Sequence, residues 1–391
     1  MSKIVFFNIP AHGHTNPTLG VVRELTARGH QVWYWSYEVM RQKIEAAGAH
    51  FVPCDSYDAE LRLTPRQAAQ IGKDLALSTR VLVDTTLSLD EAVCREMERL
   101  QPDCIVADSM AVWGKAVARK LNIPFVSSTT TFAFNQHSAK VMRRSAGELL
   151  RMVLSMPRVN GEIKRLQRAG YPVKSVLDIL QNDDDTHTVV YTSPEFQPCS
   201  DTFSDRYAFV GPSVRPAETE VVKTGEKLIY ISMGTVNNDM LPLYRRCIAA
   251  LRETPWQVIL SVGSAVSPEQ FGELPENVAV YPSVDQIAVL EQADVFLTHC
   301  GMNSVSEALW FGVPLVMLPQ TAEQSGVAQR VAQLGAGVKL EKTDPASIRA
   351  ALARVLHHPS YAGNAAAIGE GFHRCGGAKA AADKILQVCR A

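Results

Sequence analysis

The chain has 391 residues, more than one ordinary hydrophobic core serves, so two domains are expected. With 46% hydrophobic and 20% charged residues it reads as a soluble globular protein, and no apolar run is long enough to span a bilayer. A net charge of −1 supplies no basic face for nucleic acid or an anionic membrane. The N-terminus turns strand-like at once, without a signal peptide's apolar core and cleavage site. The eight cysteines (54, 94, 104, 199, 247, 300, 375 and 389) show no CxxC spacing, so reduced thiols in the cytoplasm are expected.

In chain order, Ile4 to Ile9 predicts a buried parallel strand. Pro10-Ala11-His12-Gly13-His14-Thr15-Asn16-Pro17 reads as a loop, followed by a helix ending at Gly29 and a strand from Gln31 to Trp35. This is the start of a doubly wound sheet, in which ligands sit beyond the carboxyl ends of the strands. His12 and His14 fall there. Three readings of these histidines stay open: a metal-binding pair, a structural cap, or a general base. The turn lacks the G-x-G-x-x-G fingerprint, which argues against a NAD-dependent enzyme.

Residues 55 to 100 carry helical patterns, notably Leu87 to Leu100. Pro102 to Asp108 predicts a strand that ends in an acid at the same sheet edge as His14. Asp108 either orients an imidazole or caps the helix predicted from Met110 to Lys120. Leu121 to Ser127 enters another strand, with Thr129, Thr130, Phe132 and Phe134 beyond it. Lys140 to Tyr171 is rich in Met, Leu and Arg. It walls an apolar acceptor pocket or packs as an ordinary helix. Asp183-Asp184-Asp185 reads as a solvated loop, and Val189 to Thr192 as the last strand of the first domain. Proline, glycine and charge crowd residues 211 to 226, as at a domain boundary.

The pattern restarts at Lys227 to Ser232, ending in Met233-Gly234-Thr235, and strands follow at Gln257 to Ser261 and Val278 to Tyr281. Ser283-Val284-Asp285-Gln286 precedes a short helix. Val295 to Thr298 leads into His299-Cys300-Gly301-Met302-Asn303-Ser304-Val305-Ser306-Glu307, and a helix is predicted from Ser304 to Phe311. A strand turning sharply into a helix presents backbone N–H groups and a positive dipole end, which suits an anion. Gly301 allows close approach, Asn303 and Ser304 cap the helix or donate to phosphate, and His299 adds a neutral or cationic donor. Glu307 can accept from two vicinal hydroxyls. Alternatively, Ser304-x-x-Glu307 is a capping box that needs no ligand. With Glu323-Gln324 after the next strand, four strand tips offer polar groups to one crevice.

Segment 283 to 324 resembles the nucleotide-sugar signature of the UDP-glycosyltransferases. The resemblance rests on His299-Cys300-Gly301-x-Asn303-Ser304-x-x-Glu307, on Gly312-Val313-Pro314 and on Glu323-Gln324. Pro10-Ala11-His12-Gly13-His14-x-x-Pro17 resembles the opening loop of the same family, in its bacterial macrolide and flavonoid branch. The resemblance implies an α/β GT-B fold, with two Rossmann-like doubly wound parallel-sheet domains facing a central cleft. Residues 1–212 would bind the acceptor and 213–375 the nucleotide-sugar donor, with 376–391 forming a helix that returns to the first domain. It implies an inverting, UDP-dependent hexosyltransferase, with glucose the expected sugar and a small, mostly apolar acceptor such as a flavonoid or macrolide. His14 would be the base and Asp108 its partner. His299, Gly301, Met302, Asn303 and Ser304 would meet the diphosphate with Gly234 and Thr235, and Glu307 would hold the ribose. Ser283, Val284 and Gln286 would meet the nucleobase, and Glu323 and Gln324 the sugar. His12, Phe132 and Phe134 would face the acceptor.

No metal is expected, since no D-x-D pair is placed to hold one, and no cofactor beyond the UDP-sugar. The expected assembly is a monomer or weak dimer. Two departures stand out: plant members carry Trp at the position of Ser283, and Asp285 replaces a common Pro. The rival readings are a nucleotide-sugar epimerase or hydrolase of the same fold and a non-catalytic nucleotide-sugar-binding subunit.

Overall fold

A computed structural model describes residues 1–54, 74–141, 146–180, 182, 185–235 and 237–389. The predicted features at 55–73 and 142–145, and Asp183 and Asp184, lie outside the described residues. The chain divides into two compact units, Met1–Ser213 with Gly376–Ala391, and Val214–Cys375.

The first unit runs β1 (Lys3–Phe7), α1 (His12–Ala27), β2 (Gln31–Ser36), α2 (Arg41–Ala46), β3 (His50–Pro53), α3 (Leu75–Leu100), β4 (Cys104–Asp108), α4 (Val112–Leu121) and β5 (Phe125–Thr129). It continues with α5 (Gln136–Val141), α6 (Ala146–Arg168), α7 (Val176–Leu180), β6 (His187–Val190) and β7 (Tyr207–Phe209). The strands form one sheet in the order β3-β2-β1-β4-β5-β6-β7, and every pairing is parallel. Alternation along the strands splits the core. Val5, Phe7, Ile105 and Ala107 face α3, α4 and α6, while Ile4, Phe6, Cys104 and Val106 face α1 and α2.

The second unit contains β8 (Leu228–Ser232), α8 (Leu241–Leu251), β9 (Gln257–Ser261), β10 (Val278–Tyr281), α9 (Gln286–Leu290), β11 (Val295–Thr298) and α10 (Met302–Trp310). It closes with β12 (Leu315–Met317), α11 (Ala322–Gln333), β13 (Gly337–Lys339), α12 (Pro345–His357) and α13 (Pro359–Arg374). The sheet order is β10-β9-β8-β11-β12-β13, again with parallel pairings. The final helix, α14 (Gly377–Cys389), packs on α1 of the first unit through Ala381, Ala382, Ile385 and Leu386. Two parallel-sheet Rossmann-like units define the GT-B architecture.

Several expectations change. Val189 to Thr192 is not the last strand of its domain, because β7 pairs with β6 beyond it. Strands β3 and β13 were not foreseen; both lie at sheet edges, are only 4 and 3 residues long, and show little periodicity. The predicted loop from Pro10 to Pro17 is mostly helix, since α1 begins at His12 and carries Pro17 inside it. Within Lys140 to Tyr171, Val159, Ile163 and Leu166 pack into the core beside α3, as an ordinary helix face does.

Candidate functional site

β1 and β4 are neighbours with β2 on the far side of β1, so the strand order reverses here, where doubly wound sheets place ligands. His14 lies in the first turn of α1, just past the tip of β1. Asp108 is the last residue of β4. His14 Nδ1 lies 2.8 Å from Asp108 Oδ2. The Asp108 side chain is fully buried, while the imidazole keeps about a fifth of its surface. Asp108 Oδ1 accepts from the Met110 N–H at 2.8 Å, so the carboxylate is held from both sides.

A buried carboxylate only accepts, so the proton between the two side chains sits on His14 Nδ1. Thr130 Oγ1 sits 3.1 Å from the same Nδ1. Asn8 Nδ2 donates to the His14 carbonyl at 3.0 Å and fixes the turn that presents the ring. Asn8 was not singled out from sequence, and Thr130 was noted only as lying beyond its strand, with no role. The usable signal was their position at the tips of β1 and β5, on either side of β4.

The bland readings of this pair fail. Neither histidine caps α1, whose N-cap is Ala11 with no side-chain bond. Asp108 does not cap α4, whose N-cap is Ala111. The two rings also diverge, for His12 Nδ1 lies 3.5 Å from Lys43 Nζ. Partial burial, then Lys43, lowers the His12 pKa. Among the described residues, no group of three His, Cys, Asp or Glu side chains is placed to hold a metal. Beside Asp108 is a recess of about 120 Å³ bounded by Met110, Phe132, Phe134, Ile179 and Tyr207. Phe132 is buried against Phe196, and Phe134 is exposed.

In the second unit, β8, β11 and β12 are adjacent and end in register at Ser232, Thr298 and Met317. Past β11 the chain turns through Cys300, a buried non-glycine residue at φ +68°, into α10. Gly301 is the N-cap of α10, and no side chain caps it. Ser304-x-x-Glu307 is therefore not a capping box: the helix starts two residues earlier than predicted. Met302, Asn303 and Ser304 occupy its first turn, the end that favours an anion. Met302 is buried, so its main chain alone can serve a ligand.

The His299 ring lies between two glycines. A Cβ on Gly234 would stand 2.6 Å from its Cε1 and Nε2, and a Cβ on Gly301 2.6 Å from Nε2. Burial drives the His299 pKa down to about 4, which resolves the earlier choice: the ring is neutral at pH 7. Its Nδ1 is buried without a well-formed hydrogen bond.

Glu307 is crowded enough that burial raises its pKa, against the Gln286 amide and the charge of Arg215. Gln286 Nε2 donates to Glu307 Oε2 and to Ser304 Oγ. Asp285 caps α9, taking the Ile287 N–H. It also binds Arg215 Nη2 and the main-chain N–H groups of Glu218 and Thr219. The residue that replaces the family's proline thus pins the start of this unit to α9.

Ser283 and Thr235 are exposed and Val284 is half-buried. Glu323 is exposed on the first turn of α11. The true capping box of this region lies there, where Thr321 Oγ1 accepts from the Gln324 N–H and Gln324 Oε1 accepts from the Thr321 N–H. Gln324 Oε1 also takes the Gln320 N–H. What Gln324 can still offer a ligand is its amide nitrogen.

Two parallel-sheet Rossmann-like units are the architecture of the GT-B glycosyltransferases. The chain belongs to the family of bacterial NDP- and UDP-glycosyltransferases. It is 34% identical to the NDP-glycosyltransferase YjiC of Bacillus licheniformis, over 98% of this chain and 96% of that one. It is 31% identical to the demethyllactenocin mycarosyltransferase of Streptomyces fradiae, over 86% and 75% of the two chains. Residues 245–373 match the erythromycin biosynthesis protein CIII-like C-terminal domain. Among solved structures, the glycotransferase of kitacinnamycin superposes with a TM-score of 0.86 at 28% identity, covering 99% of this chain and 98% of that one.

Proposed function

We propose that the enzyme moves glucose from UDP-glucose to a hydroxyl of a small, mostly apolar acceptor such as a flavonoid or macrolide, with inversion at the anomeric carbon. The single observation that carries the chemistry is the His14–Asp108 pair. His14 Nε2 takes the proton of the acceptor hydroxyl as that oxygen attacks the anomeric carbon. The bond from the anomeric carbon to the diphosphate breaks, and its electron pair stays on the departing oxygen. Asp108 steadies the imidazolium that forms.

The remaining assignments follow the strand tips. Residues 1–212 serve the acceptor, with His12, Phe132 and Phe134 facing it, and the helix at 376–391 returns to that domain. Residues 213–375 hold the donor. Gly234, Thr235, His299, Gly301, Met302, Asn303 and Ser304 meet the diphosphate, whose growing charge the amino end of α10 stabilises. Glu307 takes the ribose and Ser283 and Val284 bracket the nucleobase, while Gln286, expected at the nucleobase, spends both amide N–H groups on Glu307 and Ser304 and so stands behind the ribose instead; Glu323 and Gln324 take the sugar. The UDP-sugar is substrate, and neither a metal nor a bound cofactor is part of the reaction. The enzyme is cytoplasmic, and a monomer or weak dimer.

The likeness to the mycarosyltransferase and to the oleandomycin glycosyltransferase of Streptomyces antibioticus supports the macrolide arm. A Bacillus subtilis relative described as an uncharacterized UDP-glucosyltransferase supports glucose. The test is mass spectrometry of the enzyme with UDP-glucose and a panel of phenolic and macrolide acceptors. A glycosylated product that requires the acceptor is expected. Donor isomerised or hydrolysed equally well without acceptor would overturn the transferase reading in favour of an epimerase or hydrolase.

A further inference from the structure

Tyr230 lies on β8, buried, and its ring stacks on Phe296 with centroids 4.5 Å apart. A buried tyrosine hydroxyl needs a hydrogen-bond partner, and although Ser232 and Ser261 lie close by, this one donates to Gln286 Oε1 at 3.2 Å. The chemistry of the partners fixes the direction of the chain of bonds. An ionised Glu307 can only accept, so the Gln286 amide must turn its nitrogen toward it. The amide oxygen then faces Tyr230, which must donate. Both amide N–H groups are thereby used, one on Glu307 Oε2 and one on Ser304 Oγ. The Gln286 side chain has no N–H left for a nucleobase.

We infer that Tyr230 and Gln286 are positioning residues for donor binding: the Tyr230 hydroxyl sets the Gln286 amide, and the amide sets the Glu307 carboxylate against the paired hydroxyls of the donor's ribose. The inference rests on the proposal that Glu307 holds that ribose. The relay acts on the sugar of the nucleotide, not on its base. It selects ribose over 2′-deoxyribose, because a carboxylate held in one orientation loses a charged hydrogen bond when the 2′-hydroxyl is missing.

The test is calorimetric titration of the full-length protein with UDP and with 2′-deoxy-UDP. The wild type should prefer UDP by about 10- to 100-fold, the range of one charge-assisted hydrogen bond. Tyr230→Phe keeps the ring stacked on Phe296 and removes only the hydroxyl. It should weaken UDP about three- to tenfold, leave 2′-deoxy-UDP nearly unchanged, and so shrink the preference. Gln286→Leu, on α9 and away from the buried stack, should do the same if Tyr230→Phe is poorly folded. Adding Tyr230→Phe to Glu307→Ala should cost nothing further, since the relay would have no carboxylate to act on.

The pH profile supplies a second readout. The charged and titratable groups facing Glu307 are Arg215, Asp285 and Tyr230. With the Gln286 donor no longer fixed, the acid limb of UDP binding should move to higher pH. Equal weakening of UDP and 2′-deoxy-UDP, or wild-type selectivity in both Tyr230→Phe and Gln286→Leu, overturns the relay while Glu307 stands. If Glu307→Ala binds UDP as the wild type does, the ribose assignment fails and the relay with it.

Discussion

His14 and Asp108 are 94 residues apart in the chain, and their Nδ1 and Oδ2 atoms are 2.8 Å apart in space. The contact follows from topology. Adjacent parallel strands β1 and β4 end at one sheet edge, and each tip delivers one partner. The carboxylate decides which imidazole nitrogen carries the proton.

That decision is testable through Asp108→Asn. The amide oxygen can still accept from the Met110 N–H, but its NH₂ then meets His14 Nδ1 and forces the proton onto Nε2. The lone pair needed by a base is lost. The turnover number should fall about 10²-fold or more while the UDP dissociation constant stays near wild type. Parallel rate and calorimetric measurements check this, and equal rates in the two proteins would remove Asp108 from the mechanism.

Gly301 can be probed separately from backbone strain. Its φ of −59° and ψ of 136° suit any residue, so Gly301→Ala acts only through space. The new Cβ would meet His299 Nε2 at 2.6 Å and push the ring from its place between the two glycines. Overpacking of this kind costs ~1–3 kcal/mol. UDP affinity should drop about tenfold, with transfer at saturating donor less affected. Unchanged affinity would show that the ring does not border the diphosphate.

Glu307 sets binding against stability. Burial raises its pKa in the folded protein. An acid shifted upward stabilises the fold below its ordinary pKa, and that contribution is lost as pH rises through the shifted value. Ionised Glu307 therefore costs stability at neutral pH. Glu307→Gln should melt above the wild type at pH 7, by a margin that narrows toward acid, and should bind UDP more weakly. A melting difference independent of pH would contradict this.

Much of this was legible because it is periodic. The apolar runs at 4–9, 104–108, 228–232 and 295–298 gave parallel strands, and the sharp strand-to-helix turn at Gly301 gave the anion-compatible end. Tertiary effects were not legible. Pro17 argues against helix by its fixed ring and missing N–H, yet it lies in the second turn of α1, where the bond it would have given the Gly13 carbonyl is lost and the packing of the helix carries it. The capping box held open as the alternative for Ser304 and Glu307 occurs instead at Thr321 and Gln324, since the two share the same short pattern and only the helix start distinguishes them. Nothing local marks Cys300 for a left-handed conformation. The pairing of Gln286 with Glu307 across 21 residues depends on how α9 meets α10.

The most direct measurement is made on His14→Ala, with glucosyl transfer and UDP affinity determined on the same preparation. Loss of the base should lower transfer about 10²- to 10⁴-fold and leave UDP affinity unchanged. A variant that still transfers sugar at most of the wild-type rate would contradict the assignment of His14 as the base.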